Sequence, residues 1–439
     1  MGRGRRRARA RVAVAGALLL CTATALPGQA ALAAGTPGPY DFAPDARPVR
    51  GSASAAEAAP LTPGASYRSS LERDGQIYFS LDLDATSDVY VSATVVPPPG
   101  SAVAASDGVK VSVQDAEGRS CSFDTTTFGA VRSARPIAAW GSREISANRP
   151  RCKEAGTYRV LVQRLGTALS ASDTWDLELF AASEPALRRG AAPTAPGGWN
   201  SAPAAPVTGE AVPRAGGSGF TSAAPVAEGV WSSAITPGRT LFYKVPLAWG
   251  EQFSATAELA GSESGDGYVA GALSLALYNP ARGFVDDAGA NYDGGQRAAV
   301  LDPVPPVAYG NRYAAPDRIS AVRFAGDYYV VVHLAAGVAG KYGEGPFTLT
   351  LRVRVDGTTA AGPGYAGEFE PRGVFDAGSG DAGAGAGGAL AADGDRGGGG
   401  DGGDTALTVL AVSGLGTGTV VLGGLGVWFL AARRGAGAR

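Results

Sequence analysis

Apolar and polar residues alternate with a period of two over short windows separated by Pro, Gly and Asp. In the first half these windows are Ile77-Tyr-Phe-Ser-Leu-Asp-Leu83, Val89-Tyr-Val-Ser-Ala-Thr-Val-Val96, Val111-Ser-Val-Gln114, Gly156-Thr-Tyr-Arg-Val-Leu-Val-Gln163 and Trp175-Asp-Leu-Glu-Leu-Phe180. The second half carries Leu241-Phe-Tyr-Lys-Val-Pro-Leu247, Phe253-Ser-Ala-Thr-Ala-Glu-Leu259, Leu273-Ser-Leu-Ala-Leu-Tyr278, Asp327-Tyr-Tyr-Val-Val-Val-His333 and Phe347-Thr-Leu-Thr-Leu-Arg-Val-Arg-Val355. Period-two patterning with β-branched and aromatic enrichment predicts strands, and no window of similar length shows the 3.6-residue period of an amphipathic helix. The expected fold class is all-β, with two tandem β-sandwich domains of jelly-roll type.

Composition shifts set the expected boundaries. Residues 184–219 are rich in Ala, Pro and Gly with few large aliphatics, which is the make-up of an extended spacer. It separates a first sandwich over 56–183 from a second over 220–356. Residues 34–55 read as a flexible leader, and 357–404 as a Gly-rich stalk.

The ends read as targeting and anchoring segments. Six arginines open the chain, an apolar run follows, and Ala31-Leu32-Ala33 has the small-x-small form of a cleavage site, so 1–33 is expected to be a secretory signal peptide. Residues 405–432 hold 28 positions without a charge, enough for a transmembrane helix, and the arginines of 433–439 favour a cytoplasmic tail. The expected topology is single-pass, with the N-terminus outside and the folded part extracytoplasmic at the cell membrane.

The two halves repeat short motifs. Leu61-Thr-Pro-Gly64 ahead of Tyr78-Phe-Ser-Leu81 matches Ile235-Thr-Pro-Gly238 ahead of Phe242-Tyr-Lys-Val245, and Ala155-Gly-Thr-Tyr-Arg-Val-Leu-Val162 matches Ala325-Gly-Asp-Tyr-Tyr-Val-Val-Val332. A Pro-Gly turn, an aromatic strand and a later Ala-Gly-x-Tyr-x-Val-x-Val resemble the bacterial pre-peptidase C-terminal domain. The second copy is also similar, through Phe242-Tyr-Lys-Val-Pro-Leu-Ala-Trp-Gly250, to ectodomain segments of actinobacterial surface proteins, including some with von Willebrand-type A domains. The resemblance implies small jelly-roll accessory modules in a secreted, membrane-anchored surface protein, and it carries over no sugar-binding residue set. Both copies depart from the family's rhythm through long insertions, 116–155 and 279–325.

Charge narrows the partners. Without the six arginines of the leader and the three of the tail, 29 basic side chains of the 38 face 40 acidic ones, a balance near −11. A net-acidic ectodomain argues against nucleic acid as a partner, and it is also the ordinary solubility solution for an exported domain.

Candidate chemistry is sparse. Cys121 and Cys152 remain after signal removal and are expected to form a disulfide in an exported chain. The lone histidine, His333, falls on the face opposite Tyr328, Val330 and Val332, which reads as solvent-facing surface rather than a general base. Trp140, Trp175, Trp231 and Trp249 could stack on sugars or anchor a protein, with Trp140 favoured by its place in an insertion. Asp286, Asp287, Asn291 and Asp293 gather hard oxygens as Ca²⁺ would want, although Asx/Gly clusters are equally the make-up of turns, and no other cofactor is expected. Together with Tyr292, Tyr309 and Tyr313 they form the expected recognition loop, because freedom to evolve contacts lies in loops on a packed scaffold. The sequence points to a non-catalytic cell-surface protein that presents two sandwiches for binding a protein or envelope glycan, or for envelope assembly. The alternative is an extracytoplasmic hydrolase with carboxylate-only chemistry, which needs acids converging in a cleft.

Overall fold

The computed structural model describes residues 40–146, 150–166, 174–190 and 194–377. The expected signal peptide, the residues of the expected span at 405–432 and the tail lie outside them. The first sandwich has eight strands: β1 Ser66–Glu72, β2 Gln76–Leu83, β3 Asp88–Val96, β4 Gly108–Gln114, β5 Ser120–Thr127, β6 Ile137–Arg143, β7 Gly156–Leu165 and β8 Thr174–Glu184. The second repeats them: β9 Gly229–Ile235, β10 Thr240–Leu247, β11 Glu251–Leu259, β12 Val269–Tyr278, β13 Phe284–Tyr292, β14 Arg297–Val300, β15 Gly326–Leu334 and β16 Phe347–Gly357.

Strand order makes each unit a jelly roll. The first pairs β1-β8-β3-β6 against β2-β7-β4-β5, and the second pairs β9-β16-β11-β14 against β10-β15-β12-β13, all antiparallel. Adding eight to every label turns one order into the other. Inward positions of both sheets fill each core: Val91, Val111, Val160 and Trp175 in the first, Val245, Leu275, Val330 and Leu351 in the second.

The supposed insertions are part of this scaffold. Residues 116–155 contain β5 and β6, and 279–325 contain β13 and β14, a crossing pair that supplies one strand to each sheet. The Pro-Gly match is also out of step: Gly64 lies ahead of β1, whereas Gly238 lies between β9 and β10. The aromatic-strand and Ala-Gly-x-Tyr motifs do occupy equivalent strands, β2 with β10 and β7 with β15.

A second repeat signal sits in the segments expected to be leader and spacer. Arg47–Pro48, Ala59–Pro60, Val212–Pro213 and Ala224–Pro225 each pair in parallel with an edge strand, respectively β1, β2, β9 and β10. These two-residue pieces cover edge hydrogen-bonding groups, and their prolines, lacking an N–H, end the sheets there. The flexible leader is therefore corrected from Tyr40 onward, and the spacer is corrected over its last part. Its middle also lies on the second sandwich, where Gln252, Arg352 and Arg354 donate to the carbonyls of Asn200, Val207 and Ala205.

The expected stalk begins later than 357. Ser183 and Glu370 form a bridge, as do Leu187 and Tyr365, and Phe375 is buried. Residues 365–376 thus fold back over the first sandwich because Phe369 and Phe375 join an apolar cluster there, with Tyr365 packed on Phe369.

Candidate functional site

The outer face of β1-β8-β3-β6 packs against the outer face of β10-β15-β12-β13, so the two jelly rolls share a seam. Outward residues of β3, β6, β12 and β15 (Val96, Ala138, Tyr278 and Val331) meet Tyr40, Phe220 and Phe242 in one apolar cluster. A second cluster joins Tyr90, Phe180 and Ala182 of the first sandwich to Ala281 and Phe324 of the second, with Phe375 stacked on Phe324 at 4.3 Å between centroids.

The ion pairs across the seam are sorted by sandwich. Asp88, Glu144, Glu178 and Glu184 come from the first, and Arg282, Arg312 and Arg323 come from the second. Arg312 Nη1 lies 3.1 Å from Asp88 and its Nη2 2.8 Å from Glu184. Arg323 Nη1 is 2.8 Å from Glu144, and Arg282 Nη1 is 3.2 Å from Glu178. The Tyr90 and Tyr365 hydroxyls donate to Glu184 at 2.7 and 2.8 Å, and Tyr40 donates to Glu178. Burial, reinforced by Glu184 and Glu144, pushes the Asp88 carboxyl up to about 7. Acids do converge here, Asp88 among them with a raised pKa, yet Glu184 is only 1% exposed and Glu144 4%, each held by an arginine. The arrangement joins two domains, and a buried pair of this kind costs far more to break than to lack.

His333 is corrected by the same seam. Alternation placed it on the outer face, and it is there, but the first sandwich covers that face and leaves it 1% exposed. Its Nδ1 is 2.9 Å from Thr240 Oγ1 and its Nε2 2.9 Å from Ser133 Oγ of the other sandwich. Burial, aided by the Arg135 charge, pushes its pKa down to about 3, so the ring is neutral and both nitrogens are occupied. That is a structural role.

Next to His333 the seam opens into a cleft of about 490 Å³. Its floor is the outer face of β12 and β13, where Ala276 and Gly289 are too small to fill the space, and one wall is the β5–β6 connection of the first sandwich. Approach at the rim is close: a Cβ on Gly271, whose φ is +58°, would meet Val131 Cα at 2.8 Å. The lining carries two formal charges among the described residues, Arg135 and Asp287. Arg135 donates to the carbonyls of Phe128 and Ser133 at 3.1 and 3.4 Å, and burial lowers its pKa. Burial raises the Asp287 pKa, and the charge of Arg135 partly opposes this. Asn291, on the lining, accepts from the Gly271 amide at 2.8 Å through its carbonyl oxygen.

The expected recognition residues are thereby dispersed. Asp287 and Asn291 line the cleft, although on a strand and not a loop. Asp286 lies 3.7 Å from Arg318, and Asp293 accepts from the Gly295 amide and pairs with Arg297. Tyr292 is a core residue whose hydroxyl donates to Ala260 O at 2.8 Å. Tyr309 stacks on the Arg312 guanidinium at 3.6 Å to its centroid, and Tyr313 ends the same 3-10 turn. Among the described residues no three His, Cys, Asp or Glu side chains gather as a metal site would require. Cys121 and Cys152 are bonded to each other, as expected.

None of the four candidate tryptophans lines the cleft. Trp175 is wholly buried, Trp231 and Trp249 pack on the second core, and Trp140 stacks on Tyr90 in the seam beneath Arg323. Sequence reasoning missed Arg135 and the seam arginines. A usable signal was the outward run Glu178, Phe180, Ala182, Glu184 on β8, since an aromatic between acids at outward positions marks a face that something covers.

No protein-family model matches the chain, and no curated protein matches it either. Among solved structures it is similar to the CUB1-EGF-CUB2 fragment of human MASP-1/3, at 8% identity and a TM-score of 0.15 over 66% of this chain and 99% of that one. It is also similar to the tandem CBM22-1-CBM22-2 of Paenibacillus barcinonensis Xyn10C, at 12% identity and a TM-score of 0.17 over 64% and 83% of the two chains. Scores this low leave the fold to rest on the strand pairing itself.

Proposed function

We propose that the chain is a non-catalytic binding protein, held at the outer face of a membrane by residues 405–432, whose two jelly rolls act as one rigid body with recognition at the cleft between them. One observation carries the reading: apolar clusters and ion pairs close much of the seam, and beside His333 it opens into a space of ligand size that polar groups of both sandwiches face. The titratable groups with the largest functional promise, His333 and Asp88, are committed to holding the seam. We include in this reading that the two units are divergent copies of one secreted module of the pre-peptidase C-terminal kind, supported by their shared strand order and the equivalent Ala-Gly-x-Tyr strands.

A photo-crosslinking amino acid at Asn291 in the full chain in native membranes tests the site. The expected result is an adduct at 291 that is absent when the same group replaces exposed Val300, on the sheet of the second sandwich that faces away from the seam. Adducts at 300 and none at 291 would place recognition elsewhere. Protease treatment of intact protoplasts tests the orientation, with release of the folded part as the expected outcome.

A further inference from the structure

Resting on the reading above, we propose that the cleft between the sandwiches takes a short neutral saccharide, a mono- or disaccharide unit presenting vicinal hydroxyls to Asp287 and Arg135. Four observations carry it. First, the lining sums to no net charge, because Arg135 and Asp287 are of opposite sign and His333 is neutral. An anion would face the Asp287 carboxylate, and a cation the Arg135 guanidinium. Second, a guanidinium only donates and a carboxylate only accepts, whereas a hydroxyl does both, so a polyol satisfies the two groups together. Third, further groups on the lining match the same chemistry: Thr125 and Thr127 on the wall, and Ser274 and Asn291 on the floor. Fourth, the floor is low and partly apolar. Gly289 has no side chain and Ala276 only a methyl, and partly exposed Phe284 adds apolar lining that ring C–H groups can meet.

The volume of about 490 Å³ lies within the range of small-ligand sites. The site takes contributions from both sandwiches, Arg135 from one and Asp287 from the other, so it exists only while the seam is closed.

Gly289 supplies the test. A Cβ built there would meet only Leu273 O, at 3.4 Å, and the backbone lies outside the left-handed region, so a larger side chain would project into the cleft and leave the core alone. Full-length protein in detergent is titrated with maltose, cellobiose and chitobiose, with glucuronic acid, and with the zwitterion glycylglycine, reading saturation-transfer NMR and calorimetry. At least one neutral disaccharide is expected to bind, with affinity falling about tenfold or more in Gly289→Leu and several-fold in Asp287→Asn at an unchanged melting temperature. If Gly289→Leu lowers the melting temperature, Asp287→Asn alone decides. No binding by any neutral disaccharide, or equal binding by wild type and the deciding variant, overturns the proposal. If glycylglycine or glucuronic acid binds instead and is blocked by Gly289→Leu, the saccharide is wrong and the cleft stands. A crosslink at 291 with no neutral saccharide bound separates the two in the same way.

Discussion

His333 and Asp88 are two buried titratable groups in one seam, and their pH effects have opposite signs. His333 has a folded pKa of about 3 against roughly 6.5 when unfolded. Its neutral form is the one accommodated, so its contribution is complete above pH 6.5 and is lost as the pH falls toward 3. Melting temperatures of wild type and His333→Gln between pH 7 and pH 4 should therefore diverge from the wild-type side, the histidine protein losing more on acidification; parallel curves would refute this. Asp88, with a folded pKa of about 7 against roughly 3.9 unfolded, is favourable while protonated, and that contribution fades as pH rises from about 4 through 7. Asp88→Asn should accordingly gain on wild type across that same rise, and a constant difference would exclude the shift. The position of His333 was legible from alternation. Its burial was not, because alternation assigns a face and says nothing of what lies on it. Gln163 shows the contrast: at the equivalent place on β7 it sits half-buried beside Gln76, on a sheet that no partner sandwich covers.

At the scale of elements, β3 and β11 are equivalent strands with different surroundings. All nine residues of β3 are buried, whereas β11 alternates buried and half-buried positions. A strand buried on both faces tends toward a continuous apolar run, and along Val89–Val96 the outward positions hold apolar Tyr90 and Val96 beside small Ser92 and Thr94. That pattern was visible in the sequence and points to a covered outer face. The partners that cover it were not visible, since Arg312 and Arg323 come from a segment with little strand patterning, far along the chain from β3. Replacing Arg312 by Met leaves Asp88 and Glu184 buried without their cation and should cost about 3–5 kcal/mol in chemical denaturation, well above the usual surface ion pair. A loss below about 1 kcal/mol would show that the acids find solvent or another donor. The x-Pro pieces went unread for a different reason. Two residues are too short to carry periodicity, and only their constant offset, Pro48 to Pro213 and Pro60 to Pro225, repeats the duplication.

Across the whole molecule, three stretches with linker-like composition are seated on the jelly rolls: the part around Tyr40 and residues 365–376, which touch both, and the spacer along the second sandwich. Poor aliphatic content predicted free coil, yet a few aromatic side chains per stretch, Tyr40, Phe42, Phe220, Tyr365, Phe369 and Phe375, are enough to seat them. Calorimetry of the full chain should show one cooperative transition for the paired sandwiches. Replacing Tyr365, Phe369 and Phe375 together by Ser should split it into two, since it removes the segment that lies across both units; a single unshifted transition would mean that the sheet-to-sheet contact alone couples them.

The two sheets that meet in the seam are not equivalents of each other. The sheet of β1 in one copy corresponds to that of β9 in the other, yet it touches the sheet of β10. A duplication joined through like faces would have a twofold axis and two identical outward sides. Joined through unlike faces, this one is polar: one outward side belongs to β2-β7-β4-β5 and the other to β9-β16-β11-β14, crossed by the spacer. A single rigid body of this kind has a front and a back. Its two outward sides can therefore diverge independently, each toward a different contact.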